Sequence, residues 1–293
     1  YTMPKFSKKS VFELEESRHP VVERLLPVNE QYIPNNLILD NSSRQIAIIT
    51  GPNMAGKSTY LRQVAIIALL SQIGSFVPAE KCTIGLVDQL FTRVGASDNL
   101  AGGESTFLVE MNEAANILNN ATSKSLIILD EIGRGTATFD GLSLAWSITE
   151  YLHNNKKVGA RTMFATHYHE LIFLADKLKK AFNLNIEVKE YNEELIFLRK
   201  IKDGGANKSY GIQVAEMAGL PHKIISRAKE LLLKFSTEKT NYSTANENNN
   251  NQLNLFKIES KLIKKINSID LNKLSPIESL NFLNELKNEF KDD

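Results

Sequence analysis

Short apolar runs alternate with amphipathic stretches along most of the chain before Ser236. The predicted strands are rich in aliphatic and β-branched residues, as is typical of strands buried on both faces, and they cover Gln45–Thr50, Leu126–Asp130 and Thr162–Thr166. A stretch with apolar residues at helical spacing follows each strand, and the predicted helices are Lys57–Ile73, Gly141–His153 and His169–Lys180. This alternation predicts an α/β fold with a largely parallel central sheet.

Later segments of the chain predict a hairpin and a pair of helices. The runs Leu184–Lys189 and Glu194–Ile201 flank a turn at Asn192 and have the composition of paired strands. Ser209–Phe235 predicts a helix, a tight turn at Gly219-Leu220-Pro221 and a second helix. We therefore expect four parts along the chain: an α/β domain at 1–203, a helix-turn-helix element at 204–236, a linker at 237–254 and a helical segment at 255–293.

The last part of the chain changes composition sharply. From Ser236 to Asn254 it is polar and includes the asparagine run Asn248–Asn251, which predicts a disordered linker. Beyond it, Leu255–Glu289 has apolar residues at helical spacing and a capping box, Ser275-Pro276-Ile277-Glu278. A segment of roughly 40 residues is too small to stand alone, so we expect it to oligomerise. Packing against its own α/β domain is the alternative.

Charge and cysteine content limit the classes of protein. With 35 basic and 34 acidic residues the net charge is +1, so no global basic field attracts nucleic acid, and any DNA contact must be local or made by other parts. The single cysteine, Cys82, excludes a disulfide framework and fits a reducing cytosol. No apolar run reaches the ~18 residues that span a bilayer, and there is no signal peptide, so we expect a cytoplasmic location and no membrane partner. The chain begins with Tyr1 rather than Met, which suggests a fragment of a longer protein.

The segment between the first predicted strand and helix has the pattern GxxxxGK[ST] of a phosphate-binding loop. Its residues are Gly51, Pro52, Asn53, Met54, Ala55, Gly56, Lys57 and Ser58, and Thr59 continues the motif into the helix. Glycines allow several backbone N–H groups to face phosphate oxygens, and the helix N-terminus adds positive charge. Lys57 would contact the β- and γ-phosphates of ATP, and Ser58 would bind Mg²⁺ through its hydroxyl. An ordinary Gly-rich turn is the alternative.

Two acidic residues and a histidine follow the other two predicted strands. Asp130 and Glu131 stand at the carboxyl end of Leu126–Asp130, the edge at which ligands bind in open α/β sheets. Asp130 would hold Mg²⁺ directly or through water, and Glu131 would orient and deprotonate the attacking water. His167 follows the third strand and could donate a hydrogen bond to the γ-phosphate or to that water. Acids that merely end a strand, and a structural histidine, are the alternatives.

Four motifs carry a family resemblance, and they occur in the family's order: Thr50–Thr59, Ser105–Met111, Leu129–Thr136 and Phe164–Glu170. Together they resemble the ATPase domain of the MutS family of DNA mismatch repair proteins, which belongs to the ABC ATPase superfamily. The resemblance extends from about Ser17 to the end of the chain. It implies a P-loop fold of the ABC type, ATP and Mg²⁺ as ligands, and a homodimer with two composite ATP sites.

Further site residues follow from the resemblance alone. Ser105 would face the ATP bound by the other subunit, although a plain N-cap of a helix at Phe107–Leu118 explains the same residue. Tyr32 occupies the position of an aromatic residue that stacks on adenine, where Phe is common in the family. Gln89 corresponds to the loop that senses γ-phosphate and metal. Ala55 stands where Gly is common; its methyl group excludes the easiest positive-φ geometry, but the motif tolerates it.

The resemblance also implies how subunits assemble. Gly133–Thr136 would cross the dimer interface, and the helix-turn-helix element would buttress the dimer, whereas its pattern taken alone suggests DNA binding. Leu274–Leu280 resembles a segment that mediates higher oligomers, such as a tetramer. The chain has no Phe-x-Glu motif for wedging mismatches, so mismatched DNA would be bound by domains outside it. A downstream mismatch repair factor and association with the nucleoid are further expectations.

Three other assignments compete with this one. A second MutS-type paralogue of bacteria would carry a nuclease domain after the ATPase, where this chain has a short helical tail. The nucleotide-binding subunit of an ABC transporter would have Leu-Ser-Gly-Gly-Gln before the acidic strand, and Ala101–Ser105 differs from it. A non-enzymatic oligomerisation module would not need the intact set of Lys57, Ser58, Asp130, Glu131 and His167.

Overall fold

The computed structural model describes residues 1–95, 105–155, 157–191, 194–206 and 209–244. The strands in these ranges are β1 (Lys5–Ser7), β2 (Val11–Ser17), β3 (Asn35–Asp40), β4 (Ile46–Thr50), β5 (Lys81–Gly85), β6 (Leu90–Arg93), β7 (Leu126–Asp130), β8 (Arg161–Ala165), β9 (Ala181–Tyr191) and β10 (Glu194–Asp203). The helices are α1 (Pro20–Leu25), α2 (Lys57–Gln72), α3 (Thr106–Asn120), α4 (Thr138–Asn154), α5 (Leu174–Lys177), α6 (Gly211–Met217) and α7 (His222–Thr244), with a 3₁₀ turn at His169–Phe173. None of the helices in the described ranges is long and apolar enough to cross a bilayer. Contacts divide the chain into two compact units, residues 1–229 and 230–293, and both sheets lie in the first.

The predicted parallel sheet is present as six strands in the order β10-β9-β4-β8-β7-β6. Neighbouring strands from β9 to β6 are parallel, and β10 returns antiparallel to β9 as the expected hairpin. Every residue of β4, β7 and β8 is buried, because helices cover both faces of the sheet. Ile49 packs in the same core cluster as Leu61 of α2, and Ile48 in the cluster that contains Leu152 of α4. The mixed α/β fold with a mainly parallel sheet is thereby confirmed.

A second sheet, with the order β1-β5-β2-β3, is missing from the sequence-based prediction. Its strands alternate: Phe12 and Leu14 of β2 and Leu37 and Leu39 of β3 are buried, while the residues between them are exposed. These four side chains belong to the same core cluster as Val64 of α2. The second sheet therefore covers the helix that follows the phosphate loop.

Arg161, the first residue of β8, joins the two sheets from a fully buried position. Its guanidinium donates to the carbonyl oxygens of Val11 at 3.0 Å, Leu86 at 3.2 Å and Lys124 at 3.0 Å. Burial lowers the pKa of Arg161 to about 10, so the group still carries its charge at neutral pH. The three carbonyl acceptors compensate in part for the lost hydration of the cation.

Two predicted segments differ from the structure. His169–Lys180 is not one helix but a 3₁₀ turn followed by α5. The sequence did not distinguish the two, because its buried leucines recur at a spacing that suits either helix type. At the other end, α7 continues to Thr244 and thus covers residues 237–244 of the predicted linker. The rest of that linker and the segment at 255–293 lie outside the described residues, as does the hairpin turn at Asn192.

The loop that follows β7 packs tightly on the first turn of α4. Gly133 has a φ of +87°, and a Cβ there would lie 2.6 Å from the Gly141 carbonyl oxygen. A Cβ on Gly141 would overlap the Gly133 carbonyl oxygen and the Tyr168 hydroxyl. Gly141 therefore does not begin α4, which starts at Thr138. It lies within the first turn of that helix and allows the backbone of Gly133 to approach closely.

We predict that Gly141→Ala lowers the free energy of unfolding by about 1–3 kcal/mol, the range for overpacking a dense site. The added methyl group has no space, because its nearest neighbours are backbone atoms and a buried tyrosine. Urea unfolding followed by circular dichroism measures the effect. Gly211→Ala is the matched control, since Gly211 also lies in a helix but has no atom within 4 Å of its Cβ position. Equal unfolding midpoints for the two variants would contradict the prediction.

Candidate nucleotide site

The phosphate loop connects β4 to α2 and contains several unusual backbone angles. φ is +142° at Gly51, +68° at Met54 and +108° at Gly56. Gly56 is the N-cap of α2 and, having no side chain, leaves the first-turn N–H groups of that helix without a side-chain cap. Uncapped N–H groups at the N-terminus of a long helix attract anions. The loop therefore has the backbone geometry of a phosphate-binding site.

The presence of Ala rather than Gly at position 55 does not strain the loop. The left-handed residue is its neighbour Met54, whose side chain is 79% exposed, whereas Ala55 is fully buried and does not have a positive φ. The methyl group of Ala55 thus packs in the core without a conformational penalty. The loop therefore accommodates alanine at this position.

Lys57 is almost fully buried at the start of α2. Its ammonium donates to two carbonyl oxygens of the loop, that of Gly51 at 2.8 Å and that of Pro52 at 3.2 Å. Burial lowers the pKa of Lys57, and the carboxylates of Glu131 and Asp130 act in the opposite direction. The lysine therefore lies between the phosphate loop and the acidic end of β7.

Asp130 and Ser58 form a pair of oxygen ligands that suits Mg²⁺. Asp130 ends β7, and the nearby Ser58 hydroxyl acts to lower the pKa of its carboxyl group. Burial raises the pKa of Asp130, and its Oδ1 atom is buried with no hydrogen-bond partner among the described residues. A divalent cation would satisfy this oxygen and favour the ionised carboxylate. The residues present thus fit the metal that the sequence predicts, bound to Asp130 directly or through water.

Glu131 lies one residue beyond Asp130 in a strained backbone conformation. Its φ is +55°, while its N–H donates to the Ala165 carbonyl of β8 at 2.9 Å. Its side chain is 20% exposed, and Arg134 Nη1 donates to Oε2 at 2.5 Å. A positive φ at a residue with a Cβ persists only where the surrounding structure enforces it, and such residues cluster at functional sites. The backbone outlier therefore supports a functional role for Glu131.

His167 follows β8 at the same edge of the sheet and is exposed. Partial desolvation lowers the pKa of His167 below its ordinary value of 6.5; Glu131 raises this pKa, and Arg134 and Lys57 lower it. The imidazole is therefore neutral at pH 7, with one nitrogen that donates and one that accepts a hydrogen bond. The structure thus brings His167 within electrostatic range of the acidic strand end and the phosphate loop.

Ser105 and Tyr32 occupy two further positions that the resemblance singles out. Ser105 is the N-cap residue of α3, but it is exposed and its side chain makes no capping hydrogen bond, so helix capping does not account for its hydroxyl. Tyr32 is half-buried, its hydroxyl donates to Gln63 Oε1 of α2 at 2.6 Å, and burial raises its pKa to about 12. Tyr32 is thus fixed beside the helix that begins at the phosphate loop.

The structure corrects the assignment of Gln89. Its carbonyl accepts a hydrogen bond from the Leu126 N–H at 3.0 Å, and the next residue, Leu90, pairs with Leu126 at the start of β7. Gln89 therefore lies at the amino edge of the sheet, whereas Asp130 lies at the carboxyl edge, one strand length away. The prediction that Gln89 senses the γ-phosphate is wrong. Gln89 precedes β6, so the length of that strand separates it from the carboxyl edge of the sheet, where Asp130 lies.

Comparison with known proteins identifies the family. Residues 47–236 match the family model described as MutS domain V. The chain belongs to the MutS family. Domain V is the ATPase domain of MutS proteins, in agreement with the four motifs described above.

Curated proteins named DNA mismatch repair protein MutS are similar to this MutS chain along most of its length. The protein of Bacteroides fragilis strain YCH46 is 50% identical over 299 residues, which cover 98% of the chain and 35% of that relative. The protein of Salinibacter ruber is 61% identical over 238 residues, which cover 81% of the chain and 26% of that relative. The chain spans about a third of the length of the curated relatives it matches.

Three buried residues near the MutS site are absent from the sequence-based assignment: Arg93, Glu110 and Tyr168. Arg93 ends β6, and its Nη2 lies 3.2 Å from Oε2 of Glu110 in α3. Glu110 shares the buried face of α3 with Ala114 and Ile117, and a charged residue on an apolar helix face is the signal that points to it. A cavity of about 240 Å³ connects Arg93 and Glu110 to the acidic strand end and is lined by Arg93, Gly95, Thr106, Glu110, Asp130, Glu131, Arg134 and Gly135.

The charges around His167 lead to a titration experiment on the MutS chain. We predict that Glu131→Gln lowers the pKa of His167 further, because the carboxylate that stabilises the imidazolium is removed. NMR titration of the histidine ring resonances measures this pKa. His19 is the internal control: burial also lowers its pKa, but its charged neighbour is Arg62 rather than Glu131, so its titration should not change. An unchanged or raised pKa of His167 in the variant would contradict the electrostatic arrangement.

Proposed function

We propose that this MutS chain binds and hydrolyses ATP and acts as the dimerisation module of a DNA mismatch repair protein. The convergence of Lys57, the Ser58–Asp130 pair and Glu131 at one edge of the sheet carries the proposal. A phosphate-binding loop, a carboxylate for the metal and a second carboxylate for the water are the parts that nucleotide hydrolysis needs. Tyr32, beside α2, would stack on the adenine.

The residues of the site would divide the chemistry among them. The N–H groups of the loop, the N-terminus of α2 and Lys57 would bind the phosphates. Mg²⁺ held by Ser58 and Asp130 would neutralise charge on the β- and γ-phosphates. Glu131 would accept a proton from the attacking water, and neutral His167 would donate a hydrogen bond to the γ-phosphate or to that water.

Two such chains would complete each other's sites in a symmetric dimer. Ser105 is exposed at the start of α3 without capping that helix, which suits contact with the ATP of the partner subunit. The exposed residues Arg134 and Gly135 suit a loop that crosses the interface. The pair α6 and α7 would buttress the dimer. ATP binding would draw the two subunits together, and hydrolysis would release them.

In a longer protein this cycle would be coupled to DNA. The similar proteins are named DNA mismatch repair protein MutS, and about two thirds of their length lies outside the matched region. We assign mismatched DNA to that part, and we expect ATP to control the change from mismatch search to a sliding clamp through coupling between distant sites. A downstream repair factor would respond to the clamp. The segment at 255–293 would join dimers into larger oligomers, such as a tetramer.

Two substitutions should separate nucleotide binding from turnover. Glu131→Ala should lower the rate of phosphate release roughly 10²- to 10⁴-fold, the usual contribution of a general base, and leave ATP affinity nearly unchanged. Lys57→Ala should weaken ATP binding about tenfold or more, because it removes a charge-assisted bond to phosphate. Titration with a fluorescent ATP analogue measures affinity, and Lys81→Ala, which removes an exposed lysine paired with Glu15, is the matched control. Parent turnover in Glu131→Ala, or parent affinity in Lys57→Ala, would overturn the corresponding role.

Composite sites should make turnover depend on the partner chain. Specific activity should fall as the protein is diluted toward monomer. A mixture of Lys57→Ala and Ser105→Ala chains is a stricter test, because one site of each mixed dimer has both residues intact and the other has neither. Random pairing makes about half of the dimers mixed. At an ATP concentration too low to fill the weakened sites of Lys57→Ala, the mixture should therefore reach about a quarter of the parent activity, above that of either variant alone. Absence of recovery would contradict sites shared between subunits.

A further inference from the structure

Buried side chains bind the backbone of Gly133 at both its N–H and its carbonyl oxygen. Oε1 of Glu110 accepts a hydrogen bond from the Gly133 N–H at 2.5 Å. The hydroxyl of Tyr168 donates to the Gly133 carbonyl oxygen at 2.9 Å. Glu110 lies in α3 and Tyr168 follows His167, so two separate elements fix the two peptide groups that flank the Gly133 Cα in the loop after β7.

This loop requires such external support. Both Glu131 and Gly133 have positive φ angles, +55° and +87°, and Ile132 between them is buried in the core. Glycine adopts a positive φ readily, but for Glu131 this conformation is sparsely populated and persists only where the surrounding structure over-determines it. Without the bonds to Gly133, the backbone would relax toward extended conformations, and the carboxylate of Glu131 would move from its place beside Asp130.

Both oxygens of Glu110 are already committed. Oε1 bonds to the Gly133 N–H, and Oε2 lies 3.2 Å from Arg93 Nη2. Its side chain is almost fully buried, as is that of Arg93. Although Glu110 lines the same cavity as Glu131, a carboxylate with both oxygens engaged is a poor acceptor for the proton of a water molecule. Its geometry is that of a residue that positions another.

We propose that Glu110 is a positioning residue for hydrolysis, which holds the backbone N–H of Gly133 and thereby the carboxylate of Glu131 in the same subunit. The inference rests on the proposed ATPase function. Arg93 supports Glu110 by neutralising its charge and is itself shared with Glu113, whose Oε2 lies 3.0 Å from Arg93 Nε. Removal of Glu110 therefore leaves Arg93 with one carboxylate partner, so the fold does not acquire an unpaired buried charge.

Glu110→Ala and Glu113→Ala form a matched pair of variants. Each removes one carboxylate partner of Arg93 from the same helix, but only Glu110 contacts Gly133. In Glu110→Ala, turnover should fall roughly 10- to 100-fold, as expected for a catalytic group displaced by about 1 Å, with ATP affinity unchanged and faster hydrogen exchange at the Gly133 amide. Glu113→Ala should resemble the parent protein. Glu110→Gln retains an oxygen that accepts from Gly133 and should recover most of the lost turnover.

Two results with the Glu110→Ala variant would overturn the inference. One is parent turnover in Glu110→Ala. The other is a parallel loss of ATP affinity and turnover in Glu110→Ala, which indicates a general structural role. If Glu110→Ala does not fold, as judged by its urea unfolding curve, Tyr168→Phe tests the support of the Gly133 carbonyl by removing a single hydroxyl. It should lower turnover without changing affinity, and parent turnover in that variant would then overturn the inference.

Mixed dimers show which site Glu110 serves. If Glu110 positions Glu131 of its own subunit, Glu110→Ala chains should regain activity when mixed with Ser105→Ala chains but not when mixed with Lys57→Ala chains. The opposite pattern would mean that Glu110 acts through α3 on the site of the partner subunit, and it would overturn the inference. Failure of the proposed function is separately visible, because it would appear as absent turnover in the parent chain or as no recovery between Lys57→Ala and Ser105→Ala.

Discussion

The parallel register of β4, β8 and β7 is the constraint on which the rest of the site depends. Ile49 of β4 and Asp130 of β7 both pair with Ala165 of β8, so three distant segments of the chain end at one level. A slip of one residue would exchange the two buried faces of a strand and move its end by about 3.3 Å. That displacement exceeds what a hydrogen bond tolerates. Arg161 opposes such a slip from the other end of β8, because its three carbonyl acceptors belong to three other segments of the chain.

Burial acts against both charges at this strand end. It lowers the pKa of Lys57 and raises that of Asp130, which disfavours the ionised form of each group. Because the pKa of Asp130 is higher in the folded than in the unfolded state, its contribution to stability decreases as the pH rises through that range. The buried Oδ1 of Asp130, with no partner among the described residues, adds to this cost. A phosphate group would give Lys57 an anionic partner, and a divalent cation would give Asp130 a cationic one. Nucleotide binding would therefore stabilise the fold as well as fill the site.

Local sequence patterns predicted the features that depend on short stretches of chain. They failed for features that depend on contacts between segments distant in the sequence. The strand Leu126–Asp130 was predicted to the residue, because a buried parallel strand is an unbroken apolar run that ends at its acidic residue. The second sheet escaped prediction because its strands are short and half-exposed. Gln89 was misplaced because its distance from the site depends on the start of β6, which its neighbours in sequence do not reveal. Glu110 was overlooked because its contact with Gly133 exists only after α3 has packed beside β7.

Exposure separates two parts of the site that differ in physical behaviour. Lys57 and Asp130 are at most 8% exposed, and their contacts lie within one chain. Ser105 is exposed, and Arg134 is 64% exposed although it pairs with Glu131. An exposed ion pair contributes only about 0–1 kcal/mol, so a partner subunit could replace it at little cost. The buried groups Lys57 and Asp130 cannot change partners at such a small cost, because a buried charge without a partner destabilises a protein far more than the loss of an exposed ion pair does. Approach of a second subunit would therefore rearrange Arg134 and Ser105 while the phosphate loop and the end of β7 keep their geometry.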